Sequence, residues 1–157
     1  MTAADRVWLL ESSGPRVHDT AVTFAAAAGR SIVLHHEGAP DAVFLMLDFP
    51  ATRDTLRLRD SIMVSVHPLD GQYAFTVTFN EQPGVTPRAT LAYALYFRTP
   101  AAAASLWPSP GRFEQRLEPA LMGADNKVTV IASDRPAGDM LRFALKSSGT
   151  YALMAFK

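Results

Sequence analysis

Four histidines, His18, His35, His36 and His67, carry the most versatile chemistry in this chain. A neutral imidazole can bind a metal, and near neutral pH it can take up or release a proton. His35 and His36 are neighbours in a segment that reads as a strand. Their side chains therefore leave on opposite faces and cannot reach one metal from regular geometry. His67 shares a face with Ser65 and Met63, and His18 precedes Asp19 near a strand start. A metal site would have to be assembled across strands from His18, His35 and His67, an arrangement that leaves no spacing signature. Surface or hydrogen-bonded histidines are the simpler reading, and no metal or other cofactor is expected.

The carboxylates follow turn chemistry. Asp125-Asn126 and the stretch Asp134-Arg135-Pro136-Ala137-Gly138-Asp139 could offer oxygens to calcium, but neither has the oxygen spacing or terminal glutamate of an EF-hand loop. Asp, Asn, Gly and Pro are the residues that close tight bends, which accounts for both segments. Ser147-Ser148-Gly149 does not make a Gly-x-Ser-x-Gly elbow. Gly29-Arg30-Ser31 and Gly111-Arg112 are isolated glycines beside basic residues, short of a phosphate loop or dinucleotide fingerprint. With no active-site constellation, the expectation is a noncatalytic protein. The clearest candidates for contact with a partner are aromatic: Trp8 in an apolar terminal stretch, Tyr96, and Trp107 between prolines.

The elements that must position these residues are strands. Ile62, Val64 and Val66 alternate with Ser61, Ser65 and His67; Tyr73, Phe75, Val77 and Phe79 alternate with Thr76, Thr78 and Asn80. Pro68-Leu69-Asp70-Gly71 between the two runs reads as a hairpin turn. Further strands are expected over residues 6–10, 20–25, 31–36, 42–48, 90–97, 112–117, 127–133, 140–146 and 150–156, with a short charged edge strand around Leu56 and Leu58. The runs at 42–47 and 151–156 are apolar on both faces, so they belong in the middle of a sheet or under a cover. Residues 101–107, between prolines, suggest one helical turn or a loop. The pattern predicts an all-β chain, an antiparallel two-sheet β-sandwich of about ten strands spanning 1–157 as a single domain.

Composition narrows the partners. Lys+Arg 15 against Asp+Glu 15 leaves no net charge to wrap nucleic acid or hold an anionic membrane. The combination of 48% hydrophobic and 19% charged residues points to a well-buried body whose surface is partly covered by something else. The absence of cysteine excludes disulfides and thiolate chemistry. The apolar run Val7 to Leu10 is too short for a signal core or a membrane span. A periplasmic or cell-surface location, with any export signal absent from this chain, is favoured by where such sandwiches commonly occur.

Two stretches resemble the later half of ZU5-type domains: Pro83-Gly84-Val85-Thr86-Pro87-Arg88-Ala89-Thr90-Leu91-Ala92-Tyr93, and Ser148-Gly149-Thr150-Tyr151-Ala152-Leu153. The similarity covers about residues 71–156. It implies a β-sandwich interaction module, and the chain lacks the His-Phe-Ser tripeptide at which some members cleave themselves. An immunoglobulin-like sandwich of another lineage fits the strand pattern comparably. The expected function is thus a structural or protein-binding sandwich, an accessory subunit or surface domain docking on a protein partner or a larger assembly, membrane-bound assemblies included. A carbohydrate- or small-ligand-binding module is the alternative, with a hydrolase built on a non-sequential site behind it.

Overall fold

Alternation of buried and exposed residues sets the architecture. The computed structural model describes residues 2–52, 60–81, 86–93, 95–105 and 113–157. In chain order the strands are β1 (Thr2–Ala3), β2 (Val7–Leu9), β3 (Glu11–Ser12), β4 (Thr20–Ala25), β5 (Arg30–His35), β6 (Val43–Phe49), β7 (Ser61–Pro68), β8 (Ala74–Phe79), β9 (Arg88–Ala92), β10 (Phe97–Arg98), β11 (Glu118–Met122), β12 (Lys127–Val130), β13 (Ser133–Asp134), β14 (Met140–Ala144) and β15 (Gly149–Phe156). A 3₁₀ turn, Ala4–Arg6, lies between β1 and β2, and α1 (Ala101–Ala104) is a single turn. No helix among the described residues is long and apolar enough to cross a membrane.

Two antiparallel sheets carry the body. The larger has eight strands in the order β1-β12-β11-β15-β8-β7-β4, with β2 pairing β15 beyond the start of β8; the smaller runs β13-β14-β9-β6-β5. A two-strand pair, β10 with β3, stands apart. The pairs nest: β5–β6 lies within β4–β7, β7–β8 within β6–β9, and β9–β14 within β8–β15. Successive ribbons are thereby rolled across both sheets. The fold is all-β and sandwich-like, as the alternation predicts, and β6 and β15 are interior strands with neighbours on both edges.

The inward faces meet in three aromatic layers. Phe24, Phe49 and Phe79 fill one end, with ring centroids 5.3 and 5.8 Å apart. Phe75, Phe143 and Tyr151 fill the middle, and Phe44, Tyr73 and Tyr93 the other end. Such offset and edge-on pairs add to the stabilisation from burial itself.

Several boundaries differ from expectation. The strand expected over 90–97 stops at Ala92: Tyr93 turns into the core while Leu95 is left 71% exposed. Residues 113–116 form a turn closed by Arg116 N–H to Phe113 O, not a strand. The strand follows at β11, disguised by Pro119 near its start. The expected strand 127–133 divides into β12 and β13, which belong to different sheets. The proposed edge strand around Leu56 and Leu58 and the loop around Pro83 lie outside the described residues, and 101–107 is described only to residue 105.

Gly29 ends the β4–β5 connection at φ +65°, and a Cβ there would sit 2.6 Å from Phe49 O and 2.7 Å from Ala51 N. Backbone atoms cannot yield as a side chain would. Gly38 has φ +72° but nothing within 4 Å of a built Cβ. Gly38→Ala should therefore cost the left-handed conformation alone, about 1 kcal/mol. Gly29→Ala should cost at least about 2 kcal/mol. Urea denaturation of the two variants checks the difference.

Candidate functional site

The histidines sort by face. Ile32 and Leu34 point inward from β5, and His36 continues that period just past the strand's end, so it is only 4% exposed whereas His35 is exposed. The expected metal set takes His35 and leaves out His36; the run Ile32-x-Leu34-x-His36 is the signal that singles His36 out. His18 Nε2 lies 3.4 Å from Glu37 and His67 Nδ1 lies 2.7 Å from Asp19, both pairs well exposed. His18 and His35 line one shallow depression, whereas His67 is engaged with Asp19. Among the described residues no three His, Cys, Asp or Glu gather as metal ligands.

His36 stands in an aromatic setting built from five segments. Its Nδ1 lies 2.7 Å from Pro15 O. A carbonyl only accepts, so Nδ1 carries the proton and the lone pair of the neutral ring is on Nε2. The ring meets Phe44 edge-on at 5.8 Å and Tyr96 at 4.6 Å. A partly enclosed cavity of about 150 Å³ opens beside it, lined also by Asp41, Tyr73, Tyr96 and Asp139. Tyr96, expected as a contact residue, thus forms one wall.

Behind the cavity the chain is stapled by Arg135. Its Nη1 donates to the Tyr93 phenol oxygen, and its Nη2 donates to Glu114 O at 2.9 Å. The phenol proton has Glu114 Oε1 and Gly138 O within 3.1 Å. Tyr73 donates from its hydroxyl to Tyr93 O at 3.3 Å. Burial pushes both phenols up to about 12, with Arg135 offsetting part of the rise at Tyr93 and the Ser12 hydrogen bond part of it at Tyr73.

The acidic and serine segments have structural partners. Asp134 receives both Nε and Nη2 of Arg142, and that hydrogen bonding holds its carboxyl below the usual range. Asp125-Asn126 closes the β11–β12 turn, with Asn126 at φ 60°. Ser148 Oγ both accepts from Phe79 N–H and donates to Phe79 O, each at 3.0 Å, extending the ladder at the end of β8.

The second candidate surface is the outer face of the larger sheet. Register puts Val7 and Leu9 of β2, Ala74 and Thr76 of β8, and Thr150, Ala152, Met154 and Phe156 of β15 on the side away from the main core, where Val7, Ala74, Ala152 and Met154 are nonetheless buried. Ala120 and Met122 of β11 and Val128 and Val130 of β12 continue that face. On β7 and β4 it carries Ser61, Met63, Ser65, His67, Ala21, Thr23 and Ala25. None of these positions is Lys, Arg or Asp, and Glu118 is the face's one carboxylate on β11. The outer face of the smaller sheet, by contrast, presents Asp48, Arg88, Arg142 and Asp134. On this charge-poor face the turn Ala4–Arg6 lies across part of the apolar area: Ala4 packs on the cluster of Val7, Ala120, Val128 and Met154, and its N–H reaches Asn126 O at 2.9 Å. Beside it Leu9, Leu69, Ala74, Met122 and Ala152 line an open apolar groove of about 390 Å³. Val130 and Phe156 are each 39% exposed.

Trp8 turns to the other side of β2, opposite Ala155. It packs against the main core with Lys157 Nζ 4.6 Å from its ring centre, which leaves Val7 and Leu9 as the outward residues. Trp107 lies outside the described residues. No family model, curated protein or solved structure matches this chain.

Proposed function

We propose that this chain is a noncatalytic protein-binding β-sandwich, an accessory subunit or surface domain that docks on a larger assembly through the outer face of its eight-stranded sheet. The observation that carries the reading is the charge asymmetry between the two outer faces. Apart from Arg6 on the turn that crosses it, the outward positions of these strands bring no Lys or Arg to a phosphate backbone or an anionic headgroup. Its complement is a neutral, apolar protein surface that meets the exposed Met63, Val130 and Phe156 and the groove beside Leu9 and Met122, since exposed apolar area marks interfaces. A noncatalytic interaction module is also what the ZU5-type resemblance of the later half implies.

The test is a native-extract pull-down with the intact chain, identified by mass spectrometry and repeated at high salt. The expected result is a stoichiometric partner that survives salt, because apolar contacts are not screened. Val130→Arg and Phe156→Arg, both at exposed outward positions, should each weaken that complex at least tenfold with the circular dichroism unchanged. A partner lost at high salt, or one retained equally by both variants, places the interface elsewhere.

A further inference from the structure

We infer that the cavity beside His36 is a binding site for a small organic cation, a guanidinium or alkylammonium group. Its charged lining is anionic, with the phenols of Tyr73 and Tyr96 as the other polar side chains beside His36. Asp41 and Asp139 are carboxylates, neither has a basic partner within ion-pair distance among the described residues, and no Lys or Arg lines the cavity. His36 is 4% exposed, and with Nδ1 committed to Pro15 O its Nε2 has no hydrogen-bond partner among the described residues. The ring is largely enclosed, yet Nε2 itself is not among the buried unpaired atoms, so its lone pair is open to a donor that enters beside it.

The walls agree with the polar groups. Tyr96 and Tyr73 bring aromatic rings to the same space, and ring faces attract cations, more so where water is excluded. The Tyr73 hydroxyl is already given to Tyr93 O. Anions meet two carboxylates here and find no cation. At about 150 Å³ the cavity has room for about five waters' worth of volume, enough for the head of a guanidinium or short amine but not for a sugar ring with its hydroxyls. No residue named on the larger sheet's outer face lines it, so this site stands independently of the docking reading.

The probes are propylguanidinium and butylammonium chloride, followed by amide chemical shifts at constant ionic strength, with propanesulfonate as the anionic control. The expected result is saturable binding with a dissociation constant on the order of 1 mM and shifts centred on Asp41, Tyr96 and Asp139. Asp139→Asn, an isosteric change at a half-buried position, should leave folding intact and is expected to weaken binding about tenfold, and Tyr96→Leu by a similar factor. A blocked arginine peptide binding ten times tighter than propylguanidinium would identify a polypeptide side chain as the source; equal affinity would identify a free small molecule. Shifts that the sulfonate reproduces, or that persist unchanged in Asp139→Asn, would overturn the assignment.

Discussion

Replacing Phe75 by alanine is expected to lower the unfolding free energy by about 3–5 kcal/mol. Phe75 lies in β8, between β7 and β15, with no exposed surface. Its ring stacks on Tyr151 at 5.8 Å and on Phe143, across the sandwich, at 6.5 Å. Removing it takes one ring from the layer that joins the two sheets, where hydrogen-bonded strands on both sides prevent collapse into the void. Phe75→Leu keeps most of the volume and should cost less than about 1.5 kcal/mol. Since domains of this kind are stable by only about 5–15 kcal/mol, urea denaturation should show a large midpoint shift for the first variant and a small one for the second. Equal losses would mean that ring stacking, rather than filled volume, holds the sheets together.

That layer was legible in the chain because burial on one face imposes a period of two. Ile62, Val64 and Val66 announce β7 without ambiguity, and Phe75, Val77 and Phe79 do the same for β8. The double-faced apolar run 151–156 reads as central or covered, and it is both: β15 has neighbours on each edge, and Ala4 of the turn before β2 packs on the cluster that Met154 forms with Val7, Ala120 and Val128. What local pattern could not give is where an alternation ends for tertiary reasons. Tyr93 keeps step with Leu91, yet the chain turns there because Arg135, Glu114 and Gly138, from two distant loops, hold the phenol. Pro119 hid β11, since a proline ordinarily argues against a strand that has partners on both sides.

The candidate cavity was harder to foresee than the fold. Its groups come from the β5–β6 hairpin, the end of β9, the turn at Tyr96 and the loop before β14, and only tertiary structure brings them together. Judging His35 and His36 as a pair made their opposite faces an argument against a shared metal; judging each against Ile32 and Leu34 assigns His36 to the interior. The charge-poor outer face lies between these cases. Its small and polar members on β4, β7 and β8 alternate with core residues in the chain, but its breadth emerges only when seven strands are set in register.

Unfolding free energy should fall steeply between pH 10 and pH 12. Tyr73 and Tyr93 are each 1% exposed, and burial pushes their phenols up to about 12. In the unfolded chain the same groups ionise near 10. Because the folded values lie above the unfolded ones, the stabilisation is fully present below pH 10 and is lost as the pH rises toward 12, where the unfolded chain has released protons that the native state still holds. A shift of about two units corresponds to about 2.7 kcal/mol for each phenol, so the pair together account for about 5 kcal/mol. Urea titrations at pH 8, 10, 11 and 12, with phenolate absorbance followed in parallel, give the profile. Tyr93→Phe should remove about half of the alkaline loss while costing about 1 kcal/mol at neutral pH, where Arg135 loses its phenol partner. If the variant instead keeps the full alkaline loss, the proton release belongs to other groups, and the Tyr93–Arg135 junction does not control how this end of the sandwich opens at high pH.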